Sequence, residues 1–363
     1  ISNTETVSGT DSSDSTGTVA QVAENAMPSL VTISTMSVEE MRSFFGGTQE
    51  YEVEGAGTGV IVGKNDTELL IATNIHVVEG VDSLSVGFVD ETAVEGQIKG
   101  TDATNDLAVV AVKLSDISSD TMGQIKIATI GDSDELVLGE QVVAIGNALG
   151  YGQSVTSGYV SALDRNLQIS SDNGTTNTYT GLIQTDAPIN SGNSGGALLN
   201  MKGELIGINQ AKSSTTQSGT TVDGIGFAIP INKAQESLQN LMNQTTREKV
   251  DESQASYLGI QGADVSSEAS QMYGMPTGVA VSAVVEDGPA AQAGMLAGDI
   301  ITGFDGRTIT GMSQLQDVLQ YYAAGETVEV TVQRTDQGEY KEQTVSVTLG
   351  SASDAQTATT QRE

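Results

Sequence analysis

Cysteine and tryptophan are absent from this chain, and histidine occurs once, at position 76. Without cysteine there are no disulfides and no thiolate ligands, and with a single histidine no structural zinc site is expected. The missing cysteine is silent about compartment. Basic residues are also few, 15 against 47 acidic, for a formal net charge of -32. Such a surface repels polyanions, so neither nucleic acid nor anionic membrane is an expected partner, and the charge reads as a device for solubility. No apolar run approaches the roughly 18 residues a membrane-crossing helix needs. No signal peptide is visible. The chain opens on Ile1 rather than methionine, which leads us to expect that a segment upstream was removed, one that could have held a signal or anchor.

Glycine, by contrast, is abundant at 42 of 363 residues, while proline numbers only 5 and aromatics 4%. Many glycines between short apolar runs favour β-structure with tight turns over a helical bundle. The length suits two domains.

Residues 1–18 are rich in Ser, Thr, Gly and Asp and read as a disordered leader, as do residues 351–363 at the other end. From Val19 to Met27 the apolar residues fall at helical spacing and stop at Pro28. Short Val- and Ile-rich runs follow at 29–35, 57–63, 68–73, 84–89, 93–98 and 106–113, then at 137–146, 155–163, 181–185, 196–199, 204–209 and 225–229. Two sets of strands without intervening helices predict two β-barrels side by side. A helix is expected after Pro230, with Ile231, Ala234, Leu238 and Leu241 on one face. The polar stretch 246–253 reads as a linker between a first domain over 19–245 and an α+β module over 254–350. Residues 37–55, carrying Phe44 and Phe45, read as a loop.

Chemistry is suggested by three places taken together. His76 alone is more often structural than catalytic. Residues 190–196 read Asn-Ser-Gly-Asn-Ser-Gly-Gly, a run whose small residues let the backbone turn sharply and let its N–H groups converge on an anion. A serine there needs a base to take its proton. Gly192-Asn-Ser194-Gly-Gly196 also fits the nucleophile elbow of α/β-hydrolases, but those enzymes order the triad serine, acid, histidine, and here the histidine comes first. After Ser194 the sequence reads as a hairpin, not as the helix an elbow requires. The acid should lie between His76 and Ser194. Asp106, at the mouth of the apolar strand Leu107–Val112, is the best candidate and Asp102 the weaker one.

Four segments in register resemble the HtrA (Deg) family of serine proteases: Thr73–Gly80, Asn105–Val110, Gln184–Asn200 and Gly224–Pro230. The resemblance runs over about 19–350 and implies a mainly β fold, a chymotrypsin-like double β-barrel followed by an α+β PDZ domain. It implies that Ser194 attacks a peptide carbonyl, that His76 moves the proton, that Asp106 orients His76, and that the N–H groups of Gly192 and Ser194 hold the oxyanion. Ile189 and the region of Ala211 would shape a pocket for small or medium apolar side chains, although Lys212 stands awkwardly near. The position before the nucleophile is Asn193 where pancreatic-type relatives carry an aspartate, so Ile1 is not expected to be an activation terminus. Pro188, six before the nucleophile, gives no reason to expect a pocket for Arg or Lys. Tyr257-Leu258-Gly259-Ile260 resembles the carboxylate-binding loop of a PDZ domain, with the helix of Leu315 and Leu319 walling its groove. The expected partners are polypeptide substrates, a C-terminal peptide at the PDZ domain and copies of the chain in a trimer or larger assembly. The expected setting is extracytoplasmic, in protein quality control, and no cofactor is expected. The competing expectation is a dormant peptidase of the same fold that acts as a peptide-binding chaperone or scaffold.

Overall fold

The computed structural model describes residues 17–42, 48–81, 83–146, 153–170, 176–190, 192–210, 224–336 and 338–352. Helix α1 (Val19–Ala26) opens it, with Thr18 as its N-cap in a reciprocal capping box with Gln21. Val22, Ala23 and Ala26 turn inward. The strands β1 (Leu30–Arg42), β2 (Thr48–Lys64) and β3 (Glu68–Thr73) come next, then the one-turn helix α2 (Ile75–Val78), then β4 (Ser83–Gly87), β5 (Ala93–Asp102) and β6 (Leu107–Lys113). They close a barrel in the order β1-β2-β3-β6-β5-β4. After the short α3 (Ser119–Met122), strands β7 (Gln141–Gly146), β8 (Ser154–Ser170), β9 (Thr176–Thr185), β10 (Ala197–Asn200), β11 (Leu205–Gln210) and β12 (Gly226–Pro230) close a second barrel. Helix α4 (Ile231–Met242) then packs its buried face of Ile231, Ala234, Leu238 and Leu241 into a core shared by both barrels.

The two β-barrels expected from the Val- and Ile-rich runs are what the chain forms, in the mainly β, chymotrypsin-like double-barrel fold that the resemblance implies. Strands β1, β2, β5, β8 and β9 run well beyond the apolar runs that announced them, while β7 begins four residues inside its run. The largest difference is at 37–55. Strands β1 and β2 continue their pairing from Leu30↔Val60 out to Arg42↔Thr48, so most of this stretch is a hairpin rather than a loop. Backbone pairing carries it there, a force that side-chain hydrophobicity does not report. Phe44 and Phe45 lie outside the described residues.

The last part of the chain is a separate α+β unit. It comprises β13 (Ser256–Tyr257), β14 (Ile260–Asp264), α5 (Ser267–Tyr273), β15 (Val279–Val284), α6 (Pro289–Gln292), β16 (Ile300–Phe304), β17 (Arg307–Thr308), α7 (Met312–Leu319), β18 (Thr327–Asp336), β19 (Glu339–Thr348) and β20 (Gly350–Ser351). Its main sheet runs β14-β15-β16-β18-β19 and covers a core of its own around Phe304, Leu315, Tyr322 and Val330. Tyr322 falls just past α7 yet is fully buried, with its ring edge-on to Phe304.

Polar contacts seat this unit on the first barrel. The Lys99 ammonium, 4% exposed, pairs with Glu68 at 2.7 Å and also donates to Thr246. Arg307 donates to the Lys99 carbonyl at 3.3 Å and to the Tyr322 hydroxyl, which in turn donates to Asp305. Arg247 lies 3.9 Å over the Tyr322 ring and pairs with Glu326. Residues 244–250 are thus bonded to both units, with Gln244 reaching the Gly306 carbonyl and Val250 that of Gln320. Beside them a cavity of about 170 Å³ separates α2 from α7, between Ile75, Val78, Val318 and Tyr321.

Candidate active site

His76 stands on α2. Ile75 and Val78 anchor that turn in the core of the first barrel, which leaves the His76 side chain 22% exposed on the other face. Asp106 sits in the turn immediately before β6, 2% exposed, with φ of 55°. Aspartate tolerates this left-handed conformation better than most side chains. Its Oδ2 lies 2.7 Å from His76 Nδ1, and its Oδ1 accepts the His76 backbone N–H at 3.2 Å. The buried Asn74 donates its side-chain amide to the Asp106 carbonyl at 2.8 Å, so the acid and the helix that carries the imidazole form one cross-linked unit. Asp102, the weaker candidate, instead caps the turn at Thr104 and Asn105 and accepts from Ser237, away from the imidazole.

Ser194 comes from the second barrel, in the turn before β10. Gly192 and Gly195 adopt φ of 102° and 77°, values that other residues reach only under strain. A Cβ on Gly195 would also run into Thr73 Oγ1 and the Thr58 carbonyl, so the turn lies flush against the strand end that leads into α2. Thr58 of β2 holds it from the first barrel: its hydroxyl donates to the Gly192 carbonyl at 2.7 Å and its N–H to the Ser194 carbonyl at 3.0 Å. Asn193 folds its side chain back inside the loop, accepting from the Asn190 N–H and donating to the Pro188 carbonyl. On the far side, β11 clamps the turn, since the Gly195 N–H donates to the Asn209 carbonyl and the Asn209 N–H to that of Gly196.

The next residue on β11 reaches the other half of the site. Gln210, 1% exposed, donates its side-chain amide to Asp106 Oδ2 at 3.1 Å. Sequence reasoning missed Gln210, Thr58, Asn74 and Asn209. A polar residue closing an apolar strand was the only signal for Gln210, and nothing local marks Thr58. His76 Nε2 is buried and has no hydrogen-bond partner, so in this conformation it makes no hydrogen bond to Ser194. Such bonds are often loose before substrate binds.

Ile189 is partly buried against the core of the second barrel. Gly226 makes room for it: a Cβ there would stand 2.5 Å from the Ile189 side chain. Ala211 and Lys212 lie outside the described residues. In the last unit Leu258 is buried and Gly259 has φ of 80°. The Leu258 and Gly259 carbonyls accept from Ala290 and Val285, each at 2.9 Å. Because N–H and C=O of one trans peptide point opposite ways, the Gly259 and Ile260 N–H groups face away from that segment. Among the described residues β14 is an edge of its sheet, and α7 borders it, with the Met312 N–H bonded to Asp264.

Residues 57–208 match the trypsin-like peptidase domain family and residues 280–334 the PDZ domain family. Fold and matches together define a trypsin-like serine peptidase joined to a PDZ domain. A serine protease Do-like HtrA of Bacillus subtilis is 36% identical over 339 residues, 89% of this chain and 71% of that protein. A probable periplasmic serine protease do/HhoA-like of Haemophilus influenzae is 34% identical over 342 residues, 87% of this chain and 68% of that one. Among solved structures, a variant of the HtrA-type protease AlgW with a decapeptide shares 31% identity with a TM-score of 0.52, covering 92% of this chain and 97% of that one. The chain belongs to the HtrA family of serine proteases.

Proposed function

We propose that this serine protease cleaves unfolded or misfolded polypeptides with Ser194 as nucleophile, His76 as general base and then acid, and Asp106 as the group that orients the imidazole. The observation that carries the reading is the 2.7 Å contact of His76 Nδ1 with the buried Asp106. A carboxylate there keeps the proton on Nδ1, so the lone pair of Nε2 is available for the serine proton. The N–H groups of Gly192 and Ser194 bind the oxyanion of the tetrahedral intermediate, in a turn whose glycines and Thr58 contacts fix the backbone beforehand. Ile189 forms part of an apolar pocket for the side chain before the scissile bond. We assign 19–245 to the protease domain, 246–253 to the linker and 254–350 to the PDZ domain.

The PDZ domain takes a C-terminal peptide as an added strand on β14, its carboxylate on the N–H groups of Leu258, Gly259 and Ile260. The cavity between α7 and α2 supports a regulatory role, because the helix bordering that groove faces the helix of His76 across it. The periplasmic relatives support an extracytoplasmic setting, in protein quality control. Among the described residues no helix is long and apolar enough to cross a membrane. We assign the working assembly as a homotrimer or larger.

The test is labelling with a fluorophosphonate, then mapping of the adduct. Modification of Ser194, lost in Ser194→Ala together with casein cleavage, is the expected result. Cleavage that survives in Ser194→Ala overturns the nucleophile. A folded protein that neither labels nor cleaves points instead to the dormant, chaperone-like alternative.

A further inference from the structure

We propose that Gln210 is a positioning residue for catalysis, acting through the carboxylate of Asp106. This rests on the triad reading above and extends it by one residue. Gln210 closes β11 and is almost wholly buried, and its amide N–H reaches the same Oδ2 that faces His76 Nδ1. A side chain this long, held without solvent contact, loses much rotamer freedom. Its own carbonyl Oε1 is buried with no hydrogen-bond partner, an arrangement that costs free energy. The placement is therefore not explained by satisfying Gln210 itself. What it satisfies is the carboxylate.

The chemistry favours a neutral amide at this place. Asp106 must stay ionised in a buried setting and must present one oxygen to Nδ1 in a fixed direction. A neutral N–H donor stabilises the anion. It does so without adding a positive charge, which would oppose the imidazolium formed when Ser194 gives up its proton. The backbone gives Gln210 a second consequence. Its neighbour Asn209 holds the Ser194 turn through Gly195 and Gly196, so two consecutive residues of one strand set the nucleophile and the acid relative to each other across the two barrels.

The chain has one histidine, so its imidazole is readable by NMR without assignment. We would label histidine with ¹⁵N in a Ser194→Ala background and titrate His76 with Gln210, with Gln210→Met and with Gln210→Glu. In the active chain the same substitutions are assayed for kcat and KM. Methionine keeps the volume and removes the donor. Glutamate keeps the shape but faces Asp106 with a second carboxylate, and such a pair either raises the affinity of the imidazole for its proton or titrates in two coupled steps. We expect the His76 midpoint to rise by roughly half a pH unit in Gln210→Met. In Gln210→Glu we expect it to rise further or to show a second inflection. With both, kcat should fall about tenfold or more while KM stays within about twofold. An unchanged titration in both folded variants overturns the proposal, even if kcat falls, because the residue is then only structural. A shifted titration with unchanged kcat overturns it as well. Failure of Ser194 labelling in the parent chain would instead strike the triad reading, and the titration in the Ser194→Ala background would still report the Gln210 contact.

Discussion

Two buried polar regions of this molecule handle their hydrogen bonds in opposite ways. In the seam between the first barrel and the PDZ unit, charged side chains are matched. Lys99 meets Glu68 and Thr246, and Arg307 meets Tyr322, Asp305 and a carbonyl. Around His76 capacity is left open. Among the described residues five buried side-chain atoms lack a partner, and four of them are Asn74 Oδ1, His76 Nε2, Asn209 Oδ1 and Gln210 Oε1; the seam contributes only Gln244 Oε1. An unpaired buried acceptor costs about 1–3 kcal/mol. The seam gives up little free energy this way, and the region around His76 gives up more.

Substitutions can break this contrast, and the largest effects belong to the catalytic side. Asp106→Asn should lower kcat about 10⁴-fold, because an amide N–H facing Nδ1 favours the tautomer with no lone pair on Nε2. Steady-state kinetics on an unfolded protein would measure it, and a loss under tenfold would deny Asp106 its role. On the seam the effect should fall on stability alone. Lys99→Met leaves Glu68 without its cation and should cost about 3 kcal/mol in urea unfolding, with kcat within twofold of the parent. A kcat that collapses in step with stability would show that the two regions are not separable.

Tyr322→Phe should cost less, about 1 kcal/mol, since it removes a hydroxyl between Arg307 and Asp305 but keeps the ring under Arg247. The Tyr322 hydroxyl is itself held well above the usual phenol range by burial, and then by its bond to Asp305. It therefore stays protonated as a donor at any working pH. The smallest effect is a pH dependence. Burial pulls the Glu68 carboxyl upward, but hydrogen bonds from Lys99, Thr246 and Asn65 outweigh it and leave its pKa below the usual value of 4.5. A carboxylate with a lowered folded pKa adds stability that is fully present above the unfolded value and is lost as pH falls through the folded one. Glu68→Gln should thus flatten the acid side of the stability curve below about pH 4.5, and a variant whose urea midpoints track the parent through that range would remove Glu68 from the seam's balance.

The sequence made the double barrel legible because alternating and continuous Val/Ile runs bounded by Gly, Asn and Asp report strand burial directly. His76, Asp106 and Ser194 were nameable as candidates through a single histidine, a Gly-rich serine turn, an acid just before an apolar strand and the resemblance of those segments to the HtrA family. Strand length was less visible. The extension of β1 and β2 out to Arg42 and Thr48 follows from backbone pairing, which any side chain permits. Thr58 and Gln210 were invisible as site residues for a related reason: each acts on a partner more than a hundred residues away, through one hydrogen bond.

Periodicity therefore pointed to two β-barrels and an α+β module, and motif order with the family resemblance pointed to the three side chains we propose for the chemistry. Those signals are local, set by how a short stretch of chain meets water. Which neutral groups hold the acid and the nucleophile turn, and which cations fasten the PDZ unit to the first barrel, was decided only by the tertiary structure. A hydrogen bond between distant residues depends on where the whole fold places them and leaves no periodic trace in the chain.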